Sequence, residues 1–271
     1  MIAMRFLLSN DDGIEAPGLV ALATELTKLG EVVVVAPERE MSGAGHSFTR
    51  RFPLKIRPVR LPVAGAGVKG YATTGTPADS VKLGLYLLHR EVDWVISGLN
   101  GGRNAGVDVF YSGTVAAALE GAIDGFPSAA FSLDLQDYPG EPRWAEAAAL
   151  AREILESLIA QREKLPKRVC LNVNIPNLPR AEIRGIKVTR QGLQRYEDYF
   201  EVREDPFGER YYWLTGLAVS EDEERETDLE GLRGRWVTIT PLGIDLTDYQ
   251  LLKELQGWGL KLKLKKGNSA R

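Results

Sequence analysis

The chain has 271 residues, of which 44% are hydrophobic and 26% are charged, a composition typical of a soluble globular protein. Its formal net charge of −3 offers no basic surface, so neither a nucleic-acid duplex nor an anionic membrane is expected as a partner. No apolar run reaches the roughly 18 residues of a membrane span, and no signal peptide is apparent, which together predict a cytoplasmic protein.

Strands and helices are predicted to alternate from the first residues onward. An apolar strand at 4–8, an amphipathic helix at 19–26 and a second apolar strand at 32–36 form a β–α–β unit, which implies a parallel sheet. The alternation continues with a helix at 76–90, a strand at 93–97, a helix at 112–123, a strand at 128–132, a helix at 144–164 and a strand at 168–175. We therefore predict an α/β fold, three-layered and Rossmann-like, with a mostly parallel sheet.

The pattern changes after Pro179. Antiparallel strands are predicted there at 182–190, 210–215 and 235–240, followed by a helix at 247–258. An acidic run at 220–226 is expected to be a solvent-exposed loop, and residues 261–271 form a basic tail. We divide the chain into a Rossmann-like core, residues 1–179, and a C-terminal extension, residues 180–271, in which an antiparallel β-hairpin and a helix complete the domain.

Three polar loops follow the carboxyl ends of predicted parallel strands, at residues 10–13, 42–46 and 98–104. Those ends share one edge of a parallel sheet, so loops that are far apart in the sequence can converge on one site. The adjacent carboxylates of the first loop, Asp11 and Asp12, have a plainer alternative as ordinary turn residues. Together the loops supply two carboxylates, a hydroxyl and two amides, a set of oxygen ligands that suits Mg²⁺, Mn²⁺ or Ca²⁺.

The sequence offers few side chains that could bind zinc. The single cysteine, Cys170, lies in an apolar strand, where a buried structural thiol is expected, and the two histidines have no ligand spacing. His89 closes a predicted helix and is expected as a surface or capping residue. His46 lies in a candidate site loop and is either a site residue or a packing residue.

The helix predicted from residue 112 begins with small and hydroxyl-bearing side chains, Ser112, Gly113 and Thr114. Free backbone N–H groups and hydroxyls at a helix N-terminus form a pocket for an anion, although Ser112 could equally act as a simple N-cap. A cation beside an anion pocket indicates hydrolysis of a phosphate ester, because the cation would neutralise phosphoryl oxygens and lower the pKa of a bound water.

Five motifs, in order along the chain, resemble those of the SurE family, the survival protein E nucleotidases. They are Ser-Asn-Asp-Asp-Gly at 9–13 with Ala-Pro-Gly at 16–18, Ala-Pro at 36–37 followed by Ser-Gly at 42–43, Gly-Thr-Pro-Ala-Asp at 75–79, Ser-Gly-Leu-Asn-Gly-Gly-Arg-Asn at 97–104, and Tyr-Ser-Gly-Thr-Val at 111–115. The similarity extends to Thr-Pro-Leu at 240–242. The chain departs from the pattern at Tyr249, where some relatives have histidine.

The resemblance implies a divalent-metal-dependent phosphatase of nucleoside monophosphates, a 5'-nucleotidase among the phosphoric monoester hydrolases. It implies one cation per subunit, Mg²⁺ or Mn²⁺ and alternatively Ca²⁺, bound by Asp11, Asp12, Ser42 and Asn100. It also implies a phosphate pocket lined by Asn104, Ser112, Gly113 and Thr114. Family members are cytoplasmic homodimers or homotetramers that exchange C-terminal arms, and residues 180–271 would supply those arms.

We hypothesise that the reaction proceeds by attack of a metal-associated water on phosphorus. Asp11 would be a direct metal ligand, whereas Asp12 would both coordinate the metal and orient or deprotonate the water. The rival mechanism makes one carboxylate the nucleophile and forms an aspartyl phosphate. Two other functions stay open: a nucleotide-binding regulatory protein without turnover, and a sugar-nucleotide transferase, which would need a second large α/β lobe.

Overall fold

The computed structural model of the chain describes residues 4–63, 68–166, 168–219 and 225–261. Its N-terminal part contains β1 (Met4–Ser9), α1 (Pro17–Leu26), β2 (Gly30–Pro37), β3 (Ile56–Val59), β4 (Lys69–Thr73), α2 (Pro77–Leu87), β5 (Trp94–Gly101), α3 (Gly113–Ile123), β6 (Ser128–Asp134), α4 (Trp144–Ile159) and β7 (Val169–Pro176). The remainder contains β8 (Ile186–Val188), β9 (Arg195–Glu204), β10 (Arg210–Val219), α5 (Asp228–Arg233), β11 (Val237–Gly243) and α6 (Tyr249–Gly257). Residues 220–224 of the predicted acidic loop and 262–271 of the basic tail lie outside the described residues.

A mixed sheet of nine strands forms the centre of the described structure, in the order β3-β4-β2-β1-β5-β6-β7-β11-β8. The strands from β4 to β7 are parallel, whereas β3 and β11 run antiparallel to β4 and β7. Most residues of β1, β2 and β6 are buried and apolar, as is typical of strands covered on both faces. Because β2 and β5 lie on opposite sides of β1, the chain changes direction across the sheet there, at the kind of switch point where α/β sheets bind ligands.

Helices cover both faces of this sheet, which confirms the predicted three layers. Helices α1 and α4 pack together on one face, and α2 and α3 pack together on the other. The start of α2 is fixed by a capping box, in which the N–H of Asp79 donates to the Thr76 hydroxyl and the N–H of Thr76 donates to the Asp79 carboxylate. Of the helices in the described ranges, none is both long enough and apolar enough to cross a membrane.

The C-terminal extension contributes to both sheets of the described structure. Strands β8 and β11 extend the main sheet, and β9 and β10 form a separate antiparallel hairpin, which confirms the predicted hairpin. The antiparallel direction predicted for residues 182–190 is wrong, because β8 runs parallel to β11. Alternation shows which side chains face solvent but carries no information on the direction of the neighbouring strand. The division of the chain at residues 179 and 180 stays a prediction.

Two predicted helices end earlier than expected. Helix α2 ends at Leu87, and His89 and Arg90 adopt positive φ angles of 49° and 61°, a left-handed conformation that cannot continue a helix. The helix predicted to reach residue 164 ends at Ile159, and a short 3-10 helix follows at Arg162–Lys164. The proline at position 166 disfavours helical backbone in Leu165, which accounts for the end of the 3-10 helix at Lys164.

Candidate active site at the carboxyl edge of the sheet

A cleft opens at the carboxyl edge of the sheet, beside the ends of β1 and β5. It brings together six of the eight predicted site residues, namely Asp11, Asp12, Ser42, Asn100, Asn104 and Ser112. The other two, Gly113 and Thr114, begin α3 and lie against Asp11. Direct pairing of β1 with β5 explains the convergence, because it places the loops that follow these two strands side by side.

The first turn of α3 holds the carboxylate of Asp11, which is only 4% exposed. The Thr114 hydroxyl donates a hydrogen bond to its Oδ1, and the backbone N–H groups of Gly113 and Thr114 also donate to this carboxylate. Burial raises the pKa of Asp11 above its ordinary value, and these donors only partly oppose the rise. Two residues predicted to line a phosphate pocket therefore also contact this carboxylate.

Ser112 caps the same helix. Its hydroxyl accepts a hydrogen bond of 3.0 Å from the N–H of Val115, which is the N-cap role stated above as the alternative to an anion pocket. Ser112 also lines the cleft, so capping places this residue at the site. Its role toward phosphate stays a prediction.

Asp12 lies beside Asp11 and is half-buried. Its Oδ2 accepts a long hydrogen bond, 3.4 Å, from the N–H of Gly101 at the end of β5. Burial, and next the negative charge of Asp11, raise the pKa of Asp12 to about 6. Two neighbouring carboxylates that repel each other in a partly buried cleft are stabilised when a cation binds between them.

The donor atoms around these carboxylates fit a cation that prefers oxygen. The Ser42 hydroxyl lies 2.8 Å from the Glu40 carboxylate, and the Asn100 Nδ2 donates to the carbonyl of Gly102 at 2.7 Å, which leaves its Oδ1 for a ligand. Within the described ranges, no group of three or more His, Cys, Asp or Glu side chains could hold a metal by itself. A cation here would therefore rely on the hydroxyl and amide oxygens and on water, as Mg²⁺, Mn²⁺ and Ca²⁺ do.

A buried amide network, which the sequence analysis missed, fixes Asn104. The N–H of Asn104 donates to Asn174 Oδ1 at 2.8 Å, and its carbonyl accepts from the side chains of Asn172 and Asn174 at 2.6 Å and 3.1 Å. The Asn104 side chain donates to the Ser132 hydroxyl at 2.9 Å. Two polar residues at alternate positions of an apolar strand were the available signal, because such residues share one face and need buried partners.

The side chains that line the cleft without having been predicted to act there include Arg103, Asp108 and Tyr196. The Tyr196 hydroxyl donates to Asp108 Oδ1 at 2.6 Å. Burial raises the pKa of Asp108, while this hydrogen bond and the charge of Arg103 oppose the rise. No signal could have found Tyr196, since it belongs to β9, a strand that the sequence analysis did not predict.

The other candidate reactive side chains lie elsewhere. His46 Nε2 is 2.8 Å from Oε2 of the buried Glu120, which also pairs with Lys82, and His46 is not among the residues that line the cleft. Burial would raise the pKa of Glu120, but its bonds to His46 and Lys82 outweigh burial and lower it. Cys170 is fully buried, and burial raises its pKa to about 12, which confirms a structural thiol.

Comparison with known proteins identifies the family. The sequence model described as "Survival protein SurE" matches residues 6–198 of the chain. The proteins named 5'-nucleotidase SurE of Petrotoga mobilis and of a Synechococcus species are 44% and 45% identical to it, covering 94% and 95% of this chain and 99% and 98% of their own. The crystal structure of the SurE protein from Aquifex aeolicus superimposes with a TM-score of 0.78 at 41% identity, covering 93% of this chain and 98% of that one. The chain therefore belongs to the SurE family.

Proposed function

We propose that the chain is a divalent-metal-dependent 5'-nucleotidase, an enzyme that hydrolyses nucleoside monophosphates to nucleoside and phosphate. The observation that carries this proposal is the meeting of Asp11 and Asp12 with oxygen-bearing side chains in one cleft at the switch point of the sheet. The names of the relatives, 5'-nucleotidase SurE, support the same reaction and substrate class.

The cation would be held by Asp11, Asp12, Ser42 and Asn100. When bound, it supplies positive charge to the phosphoryl oxygens and lowers the pKa of water. The chain itself provides four oxygen ligands for the cation. Two of them are held in place: Asp11 by the Thr114 hydroxyl and Asn100 by the Gly102 carbonyl. Ligand side chains that are already fixed lose little conformational entropy when the ion and the substrate bind.

Asp12 is the carboxylate that we assign to the attacking water, because it is the more exposed of the two. As the water oxygen bonds to phosphorus, the bond from phosphorus to the ester oxygen breaks, and Asp12 accepts one proton of the water. The nucleoside oxygen leaves with the bonding electron pair and takes a proton from solvent. Asn104, Ser112 and the first turn of α3 would bind the phosphoryl oxygens while charge moves between them.

The rival mechanism forms an aspartyl phosphate. Rapid quenching of the reaction with labelled substrate distinguishes the two, because only covalent catalysis leaves label on Asp11 or Asp12. We expect no labelled protein, because Asp11 is enclosed with its Oδ1 accepting the Thr114 hydroxyl, and because Asp12 is the carboxylate that we assign to the water. Detection of an acyl phosphate would show that the reaction proceeds by covalent catalysis and not by direct attack of water.

Phosphate release from a panel of 5'- and 3'-nucleoside monophosphates tests the function. The panel is assayed after treatment with EDTA and again after Mg²⁺, Mn²⁺ or Ca²⁺ is restored. We expect release from 5'-monophosphates that EDTA abolishes and a divalent cation restores. Calorimetry on the same nucleotides runs in parallel, and binding without release under every cation would instead establish a regulatory nucleotide-binding protein.

We also propose that the chain assembles as a homodimer or homotetramer through its C-terminal extension. One face of the β9–β10 hairpin carries four apolar side chains in two facing pairs, each more than half exposed: Phe200, Val202, Tyr212 and Leu214. Helix α6 likewise buries none of its residues. Contiguous exposed apolar surface of this kind marks a protein interface, and a second copy of the chain is the partner that we assign to it.

Replacing Leu214 by glutamate should reduce the oligomer to a smaller species, because a charge in the middle of an apolar interface is costly to bury. Light scattering coupled to size-exclusion chromatography measures the mass. Thr215→Glu is the matched control, since it adds the same charge at the next residue, whose side chain points to the opposite face of the hairpin. An unchanged mass for Leu214→Glu would contradict the interface, and a monomeric unmodified chain would contradict assembly itself.

A further inference from the structure

Arg103 is the only basic side chain among the described residues that line the cleft. Four carboxylates line it as well, those of Asp11, Asp12, Glu40 and Asp108. A phosphate monoester brings up to two more negative charges, while one divalent cation compensates only two in all. Electrostatic balance therefore favours a second positive group beside the substrate, and Arg103 is the side chain placed to provide it.

Two carboxylates at the end of β6 hold the guanidinium of Arg103 on one side. Its Nη1 lies 2.6 Å from Oδ2 of Asp137 and 4.0 Å from Oδ2 of the fully buried Asp134. Its backbone N–H donates to Gln136 Oε1 at 3.0 Å, which ties the main chain to the same loop. The side chain is only 10% exposed, so Arg103 is a fixed group rather than a mobile surface arginine.

Much of the hydrogen-bonding capacity of Arg103 is unused. Nη1 faces the Asp137 carboxylate, and among the hydrogen bonds between described residues none comes from Nε or Nη2. A donor left without an acceptor costs free energy, and Nη2, which is not among the buried atoms, is the donor that an anionic oxygen in the cleft would reach. The charge of Arg103 also acts on Asp108 and Tyr196, where it opposes the burial that raises the pKa of each.

We propose that Arg103 binds the phosphoryl group of the substrate and the phosphate product. This inference rests on the proposed phosphatase function and adds a residue to its site. Arg103 directly precedes Asn104 and follows Asn100 by three residues, so the end of β5 and the loop after it would carry a metal ligand and two phosphate ligands. With one side of the guanidinium held by carboxylates, the other is left for phosphate oxygens, a geometry that recognises phosphate rather than base or sugar.

Calorimetry with inorganic phosphate, on the full chain loaded with Mn²⁺, tests this role directly. Arg103→Gln should weaken phosphate binding about tenfold or more, the value of one charge-assisted hydrogen bond. Arg103→Lys should recover part of the loss, because it restores the charge without the planar fork. The KM values for adenosine 5'-monophosphate and p-nitrophenyl phosphate should rise by similar factors, and Mn²⁺ affinity in the absence of phosphate should not fall.

Arg152→Gln is the matched control, since Arg152 is also partly buried and paired with carboxylates, those of Glu25 and Glu156, but lies outside the cleft. Its phosphate affinity should stay within about twofold of the unmodified chain, as expected for loss of a peripheral ion pair. Thermal unfolding checks each variant, and Arg103→Lys, which keeps a cation beside Asp134, carries the test if Arg103→Gln unfolds. Unchanged phosphate affinity in the folded Arg103 variants would overturn the inference. If the unmodified chain binds phosphate through Arg103 but releases no phosphate from any monoester, the proposed phosphatase activity is wrong. The phosphate-binding role of Arg103 would still be supported by that result.

Discussion

Replacing Asp11 by asparagine should lower metal-dependent kcat about a thousandfold or more, because the variant keeps the shape of the side chain and loses its charge. The Thr114 hydroxyl can still donate to the side-chain oxygen, so the first turn of α3 should keep its place. The pKa of Asp11 is raised by burial, which means that the ionised carboxylate costs the folded state free energy at neutral pH. The variant should therefore unfold at the same temperature as the unmodified chain or at a higher one.

Phosphate release over a Mn²⁺ titration, together with calorimetry of Mn²⁺ binding, measures the effect of Asp11→Asn. Asp124→Asn is the control, because it makes the same chemical change at the opposite end of α3, where Asp124 pairs with Arg90 at the surface. That control should keep nearly full activity, as loss of an exposed ion pair costs little. Rates like those of the unmodified chain in Asp11→Asn would remove Asp11 from the site.

The core of the fold could be predicted because its signals are local. Strands β1 and β2 contain uninterrupted apolar runs, and the start of α2 is marked by Thr76 as N-cap and Asp79 three residues later. The C-terminal extension was harder, because β9 and β10 expose side chains on both faces and so lack the burial pattern that identifies a strand. The direction of β8 depends on its pairing with β11, about 50 residues later in the chain, which no local pattern contains.

The part of the candidate site that could be predicted consists of residues that follow strands directly. The turn after β1 gathers the polar residues that the apolar strand excludes, so Asp11 and Asp12 stand out in the sequence. The remainder depends on the pairing of distant segments. Asn174 reaches Asn104 because β7 lies beside β6, with Asn174 in register with Ser132, and Tyr196 reaches the cleft only because β9 folds back toward it.

Replacing Gly113 by alanine should lower kcat about a hundredfold, because the added methyl group would displace Asp11. A Cβ at position 113 would lie 2.7 Å from the Asp11 Cβ and 2.9 Å from its Oδ2, whereas carbon atoms in contact are normally about 3.5–4.0 Å apart. A displacement of about 1 Å in a catalytic group can cost about a hundredfold in rate. The carboxylate cannot relax at little cost, since it is buried and bound by the Thr114 hydroxyl.

Two opposing effects keep the expected change in stability of Gly113→Ala small. Alanine favours a helix over glycine by about 1 kcal/mol, whereas overpacking a buried contact costs about 1–3 kcal/mol. The melting temperature should therefore fall by only a few degrees while kcat and Mn²⁺ affinity fall together. Gly243→Ala is the control, because a Cβ there meets nothing within 4 Å. Full turnover in Gly113→Ala would mean that contact between Asp11 and α3 does not set the position of the reacting groups.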